Sequence, residues 1–213
     1  MTTQILRNGI VYKIRQCPHC GVATPLLSLV GKPKLHYKQE YDQFWYFSAE
    51  CSRCGHQTLF YGVNPTHCDE SDDIHIQEHY PPVRKANDEL PIRALKFLQQ
   101  AMESKHAPDG ALMLSASAID AMMKEIGYKD GSLYARIEQA SADGVLTRQM
   151  QEWAHEIRLS ANEPRHADDQ FEGATPEEAE QVLQFASALG EYLFVLPARV
   201  SKWKQKVPPK PLS

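Results

Sequence analysis

Four cysteines in two pairs, Cys17-Pro18-His19-Cys20 and Cys51-Ser52-Arg53-Cys54, have the types and spacing that specify chemistry most directly. Two intervening residues let both sulfurs of a pair face one ion from a tight turn. Gly21 and Gly55 follow the pairs at once, and glycine takes the left-handed backbone that closes such a turn without steric cost. Two turns supply four thiolates, the tetrahedral set that zinc favours. The thirty residues between Cys20 and Cys51 suit a ribbon whose strands run between the two knuckles. The pattern therefore predicts a structural Zn2+ held by Cys17, Cys20, Cys51 and Cys54. Four protein ligands leave no open position, so the ion should hold the fold and not react. The alternative is two disulfides. It needs an oxidising compartment, and the opening run Met1 to Arg7 does not resemble a secretory signal.

A second constellation lies at the end of a predicted helix. Arg158 and Asn162 are four apart and share one helix face. Pro164 breaks the helix, and His166 lies just beyond the break, where a turn could fold its ring back towards Arg158. An arginine grips phosphate oxygens through its planar fork, and a histidine moves a proton near neutral pH. Together they could cleave RNA without a metal, one group moving the proton while the other neutralises the developing charge. The plainer alternative pairs Arg158 with Glu156 or Asp168 and leaves His166 capping exposed carbonyls.

Other residues have milder readings. Lys32, Lys34, His36, Tyr37 and Lys38 interleave charge with rings, and Phe44 to Phe47 are four aromatics in a row. Bases could stack there while the lysines hold phosphates. Packing against a helical domain is the favoured explanation, because alternate rings point to opposite faces of a strand. His67, Cys68, His75 and His79 among Asp69, Asp72 and Asp73 read as a solvated acidic loop more readily than as a second metal site. No glycine-rich phosphate loop, Gly-x-Ser-x-Gly elbow or His-Glu-x-x-His pair is present.

Positioning these groups requires two kinds of element. Residues 9–63 read as strands, at about 10–14, 26–30, 43–47 and 58–61, rich in β-branched and aromatic residues. Residues 64–90 carry Asn64-Pro65, Asp72-Asp73 and Pro81-Pro82 and read as an acidic linker with a short strand at 74–76. Beyond Leu90 the apolar period becomes helical. Five helices are predicted: one from Pro91, one over about 109–126, one over about 132–141, one after Thr147 and one from Thr175. The last opens with Thr175-Pro176-Glu177-Glu178, a capping box, and should end at Pro197. The expected organisation is a zinc ribbon over 1–63, a linker over 64–90, an all-α bundle over 91–198 and a basic, proline-rich tail over 199–213. The fold class is then α+β.

The chain has 213 residues, 42% of them hydrophobic, and a net charge of −4. The charge is uneven. Residues 1–63 carry +4, residues 64–90 carry −5, residues 91–198 carry −8 and the last fifteen carry +5. A basic head and tail can attract polyanions or pair with the acidic middle of a second copy. No apolar run is long enough to span a bilayer. The fifth cysteine, Cys68, reads as a free thiol in a reducing cytoplasm.

The run Leu133 to Ile137 through Gly144-Val145-Leu146, then Trp153 to Arg158, Asn162, His166 and the Thr175 helix start, resembles a bacterial domain-of-unknown-function family placed within the HEPN-like superfamily. The resemblance covers about residues 88–198, and members often carry a cysteine-paired zinc module ahead of the helices. It implies an up-and-down bundle that dimerises, and it makes Arg158 and His166 the counterparts of a metal-free ribonuclease pair, with Asn162 between them. Many relatives of this kind stand beside bacterial defence machinery, and some bind RNA without cutting it. Two functions are therefore expected. One is a binding or assembly module acting with RNA, DNA or a protein partner as a homodimer. The other is a metal-independent ribonuclease using Arg158 and His166.

Overall fold

The computed structural model describes residues 4–37, 43–64, 73–162 and 173–206, with side chains except at 37, 43 and 157–162. The chain divides into two compact units, Met1–Arg84 and Lys85–Ser213.

The first unit contains β1 (Ile5–Arg7), β2 (Ile10–Tyr12), β3 (Leu27–Tyr37), β4 (Gln43–Cys51), β5 (Gln57–Val63) and β6 (Ile74–Tyr80). Each strand pairs antiparallel with its neighbour in sequence, and β1 also pairs with β6, placing Ile5 opposite His75 and Leu6 opposite Ile74. The result is a closed six-stranded barrel. This corrects the expected zinc ribbon. A ribbon leaves its outer strands with unpaired backbone groups, and here two further strands join to close the sheet. One is β6, inside the stretch expected to be a linker. The other is β1, joined to β2 by the two-residue turn Asn8-Gly9, both with positive φ (50° and 75°). That geometry belongs to a tight hairpin turn, for which Asn-Gly is a strong sequence signal.

Alternation along the strands fills the barrel. Leu6, Val11, Leu27, Phe47, Ala49, Phe60, Ile74 and Ile76 are buried together. Phe47 and Phe60 stack at its centre, with ring centroids 5.3 Å apart. Trp45 packs against the same core, whereas Tyr46 faces outwards and is 39% exposed.

The second unit contains α1 (Ile92–Glu103), α2 (Pro108–Glu125), α3 (Leu133–Ala142), α4 (Arg148–Asn162), α5 (Pro176–Gly190), a π-helical stretch (Glu191–Val195) and α6 (Leu196–Lys206). The caps follow the sequence. Ser132 Oγ accepts the Ala135 N–H, and Thr147 Oγ1 accepts the Met150 N–H. Thr175 and Glu178 form the full reciprocal capping box. Leu98, Leu112, Ile119, Met122, Met123, Ile137, Leu183, Phe185 and Leu189 form the core. The last helix departs from expectation, because it runs through Pro197 to Lys206. The π-helical turn just before Pro197 shifts the hydrogen-bond pattern where proline lacks its donor, so the chain stays helical. No helix among the described residues is long and apolar enough to cross a membrane.

Candidate metal centre

Both cysteine pairs sit at one end of the barrel. The first lies in the loop between β2 and β3. The second begins with Cys51, the last residue of β4, which lies opposite Leu27 of β3. The Ser52 N–H donates to the Leu26 carbonyl at 3.0 Å, so the second knuckle is pinned to the exit of the first.

The two knuckles share one backbone design. Cys17 N–H donates to the Val22 carbonyl (2.9 Å) and Gly21 N–H to the Cys17 carbonyl (3.0 Å). Cys51 N–H donates to the His56 carbonyl (3.0 Å) and Gly55 N–H to the Cys51 carbonyl (2.8 Å). Gly21 and Gly55 have φ of 73° and 69°, the left-handed conformation that closes each loop.

The four Sγ atoms all lie within 4.8 Å of one another, and those of Cys17 and Cys54 are 4.0 Å apart. A tetrahedral ion with metal–sulfur bonds of ~2.3 Å holds its sulfurs ~3.8 Å apart, so the arrangement is close to the size such an ion requires. A disulfide brings its sulfurs to about 2.05 Å, and all four cysteines here are free thiols. The residues present therefore fit a four-thiolate metal site.

The electrostatics agree. Burial pushes the Cys17 thiol up to about 12, against the pull of backbone N–H groups at Cys20 and His19. Burial likewise raises Cys54. Burial also works against the Cys51 thiolate, but the backbone amides of Cys54 and Arg53 together with the Cys17 and Cys54 thiols hold Cys51 below its ordinary value. Amides aimed at buried sulfurs stabilise charge there, yet four thiolates at this separation repel strongly without a cation. Cys17 and Cys51 are almost wholly buried, which shields half the donor set from solvent. Around the knuckles, His19 Nε2 donates to the Gln57 carbonyl and His56 Nδ1 to the Cys54 carbonyl, both at 3.0 Å. Their rings stack with centroids 5.1 Å apart.

The outer face of β3, β4 and β5 forms a second feature. Register places Lys34 opposite Tyr46, His36 opposite Phe44, and Tyr46 opposite Tyr61. Their rings form a continuous row: His36 meets Tyr46 edge-on at 5.2 Å, and Tyr61 lies 5.3 Å from both Phe44 and Tyr46. Lys32, Lys34 and His36 are exposed beside it.

The remaining expected site residues are placed unevenly. Arg158 and Asn162 lie on α4, but their side chains are outside the described set, and His166 is outside the described residues altogether. His67, Cys68, Asp69 and Asp72 are also outside it. His75 and His79 lie on β6, and His79 Nδ1 donates to the Pro81 carbonyl at 2.9 Å.

A further cluster joins α3 to α4. His155 Nε2 lies 2.8 Å from Glu138 Oε1, outside hydrogen-bond geometry. The ring of Tyr134 lies 4.6 Å from that of His155. Gln151 donates to the same Glu138 oxygen and accepts from Ser141. Its members sit on two different helices, so no spacing along the chain reveals it.

No curated protein and no solved structure matches the chain. A family described as Domain of unknown function (DUF4145) matches residues 99–206, which run from the end of α1 through α6. The chain belongs to that family.

Proposed function

We propose that the protein is a zinc-braced module that binds single-stranded nucleic acid and works as a homodimer in a reducing cytoplasm. The observation carrying this reading is the ring row of Phe44, Tyr46 and Tyr61 beside Lys32, Lys34 and His36 on the barrel's outer face. Tyr46 is 39% exposed, with Phe44 and Tyr61 partly buried beside it; such rings offer a stacking surface to any base, and flanking cations hold the backbone. The strands belong to a segment carrying net charge +4 in an otherwise acidic chain.

The ion is read as zinc because four sulfur donors in a closed set suit a tetrahedral cation without redox chemistry. With no open position it braces the barrel and takes no part in a reaction. Four free thiols fit a reducing compartment.

The helical unit is read as HEPN-like, and a second copy of the chain as its partner. The support is α6, which has no buried residue in the single chain. Tyr192, Leu196, Val200 and Trp203, spaced four, four and three, leave an exposed apolar stripe, with Trp203 64% exposed. Stripes of this kind mark surfaces that meet another protein.

Fluorescence anisotropy with a labelled oligouridylate and an oligothymidylate of twelve nucleotides tests the reading. Both should bind at low salt, and Tyr46→Ala should weaken binding by ~1–3 kcal/mol, the worth of one stacked base. Lys34→Ala should reduce the salt slope by about one. No binding at low salt would sink the proposal. The same RNA, analysed for length in buffer without added divalent ions, separates the ribonuclease alternative. Cleavage that His166→Ala abolishes would favour it, and intact RNA favours the binding module.

A further inference from the structure

Glu78 closes a row of four side chains that crosses the barrel's outer face from β3 to β6. Lys34 lies opposite Tyr46, Tyr46 opposite Tyr61, and Tyr61 opposite Glu78. Directly paired residues of antiparallel strands project from the same face, with Cβ atoms about 4.5–5.5 Å apart. A bulge puts Glu78 there. Gly62 pairs with Ile76 and Tyr61 with Glu78, so Gln77 is skipped and the alternation of β6 reverses. Ile76 points into the barrel and is 7% exposed, whereas Glu78, two residues on, is exposed. Unbroken alternation would turn both to the same side. The Glu78 carboxylate has no hydrogen-bond or ion-pair partner among the described residues.

The row has a cation at one end, a carboxylate at the other and two rings 5.3 Å apart between them. Those charges orient a polyanion laid across it. Lys34 attracts phosphates and Glu78 repels them, so the backbone follows β3 and the edges of stacked bases point to β6. An edge that reaches Glu78 meets two acceptor oxygens and no donor. Uracil and thymine offer one N–H flanked by two carbonyl oxygens, which a carboxylate repels. Cytosine and adenine offer an amino group next to a ring nitrogen that is itself an acceptor. Guanine alone presents two adjacent donors, N1–H and N2–H, that meet both carboxylate oxygens at once, and paired charge-assisted bonds of this kind are the strong ones.

We propose that Glu78 makes this face select guanine in single-stranded nucleic acid, by accepting N1–H and N2–H from a base stacked on Tyr46 and Tyr61. The inference rests on the nucleic-acid reading above. It adds a preference that stacking, which suits every base, does not supply.

Fluorescence anisotropy of the full, metal-loaded chain tests it with three labelled RNAs: an oligouridylate, the same RNA with two separated guanosines, and the same RNA with inosine in their place. The guanosine RNA should bind about tenfold more tightly than oligouridylate, within the worth of a bidentate base contact. Inosine lacks N2–H, and its RNA should fall between the two. Glu78→Gln keeps the side-chain size and removes the charge. It should bind oligouridylate more tightly, because a repulsion is gone, yet lose most of the guanosine preference. A carboxylate that merely repels phosphate would raise all three affinities by the same factor. Glu78 is exposed, so the variant should melt with the parent. Equal affinity for the three RNAs, or a guanosine preference that survives in Glu78→Gln, would overturn the inference and leave the binding reading standing. No binding of any of the three would remove both.

Discussion

Arg7 and Asp73 form a two-pronged ion pair across the closing seam of the barrel. Arg7 Nε donates to Asp73 Oδ1 at 2.7 Å, and Nη2 donates to Oδ2 of the same carboxylate. Arg7 ends β1 and Asp73 immediately precedes β6, so the pair reinforces the junction that turns an open sheet into a barrel.

That hydrogen bond from Arg7 holds the Asp73 carboxyl below its ordinary value, against a smaller opposing effect of burial. The sign follows from linkage. A carboxylate depressed in the folded state stabilises above its unfolded value of ~3.9, and the stabilisation disappears as pH falls through the lower folded value. Asp73→Asn should therefore lower the urea midpoint by a constant amount above about pH 5, and the two proteins should converge in stronger acid. The difference between variant and parent at each pH isolates Asp73 from other groups that titrate. The pair is partly exposed, so the gap should be small. A gap that widens on acidification would refute the assignment.

Metal removal should dismantle the barrel first. A unit of this size has only a small margin of stability from its apolar core, and metal binding in small zinc modules supplies on the order of 10 kcal/mol. Treating the protein with a strong chelator should abolish the near-ultraviolet signal of Trp45 and the Phe47–Phe60 stack. The far-ultraviolet helical signal should largely persist, because the helices have a separate core. Cys51→Ser should reproduce the effect without chelator. Retention of the barrel signal in metal-free protein would count against a bracing ion.

The capping box makes a local prediction. Thr175 Oγ1 accepts the Glu178 N–H at 3.2 Å, while Glu178 Oε2 accepts the Thr175 N–H at 2.8 Å. Thr175→Ala removes the first bond and should destabilise the helical unit by about 1 kcal/mol. Thr175→Ser keeps the hydroxyl and should cost less. Thermal melts followed at 222 nm would distinguish the two, and equal melting would show that the cap is not limiting.

How far the structure was legible from sequence depended on whether the signal was local. The Thr175 box, the Ser132 and Thr147 caps and the Cys-x-x-Cys-Gly turns are each written within about five residues, and each structural counterpart occurs where the residues place it. Barrel closure is not local. It rests on the pairing of β1 with β6, some seventy residues apart, and β6 is disguised by the acidic, proline-bearing sequence around it. The Asn8-Gly9 turn was a readable signal for β1, but three-residue strands give too little alternation to assign by pattern. The ion pair of buried Arg136 on α3 with Asp120 on α2 was invisible for the same reason: a buried charge on an amphipathic helix looks like a surface charge until its partner helix is known.

The stripe on α6 carries the dimer prediction. Light scattering of the parent protein at micromolar concentration should give twice the chain mass. Val200→Glu places a charge in the middle of Tyr192, Leu196 and Trp203, and an unpaired charge at an apolar contact is strongly unfavourable. The variant should run as a monomer. Because α6 has no buried residue, its helical content should be unchanged. A parent protein that is monomeric under these conditions would remove this stripe as a dimer surface.

Two glycines allow a paired test of packing against backbone freedom. A Cβ on Gly62 of β5 would lie 2.7 Å from the His75 carbonyl oxygen and 2.6 Å from Ile74 Cγ2. The register of β5 against β6 shifts between Tyr61 and Gly62, so the absence of a side chain lets β6 approach closely at that bulge. The Ile74 methyl could rotate away, but the carbonyl belongs to the backbone of the closing strand. Gly62→Ala should therefore destabilise the barrel by ~1–3 kcal/mol, as overpacking does elsewhere. Gly110, within α2, has nothing within 4 Å of a Cβ and no positive φ. Gly110→Ala should stabilise the helical unit by ~0.4–1 kcal/mol, chiefly by restricting the unfolded chain. Denaturant melts of the two variants should move in opposite directions. A neutral Gly62→Ala would mean that β6 can withdraw from β5 at no cost.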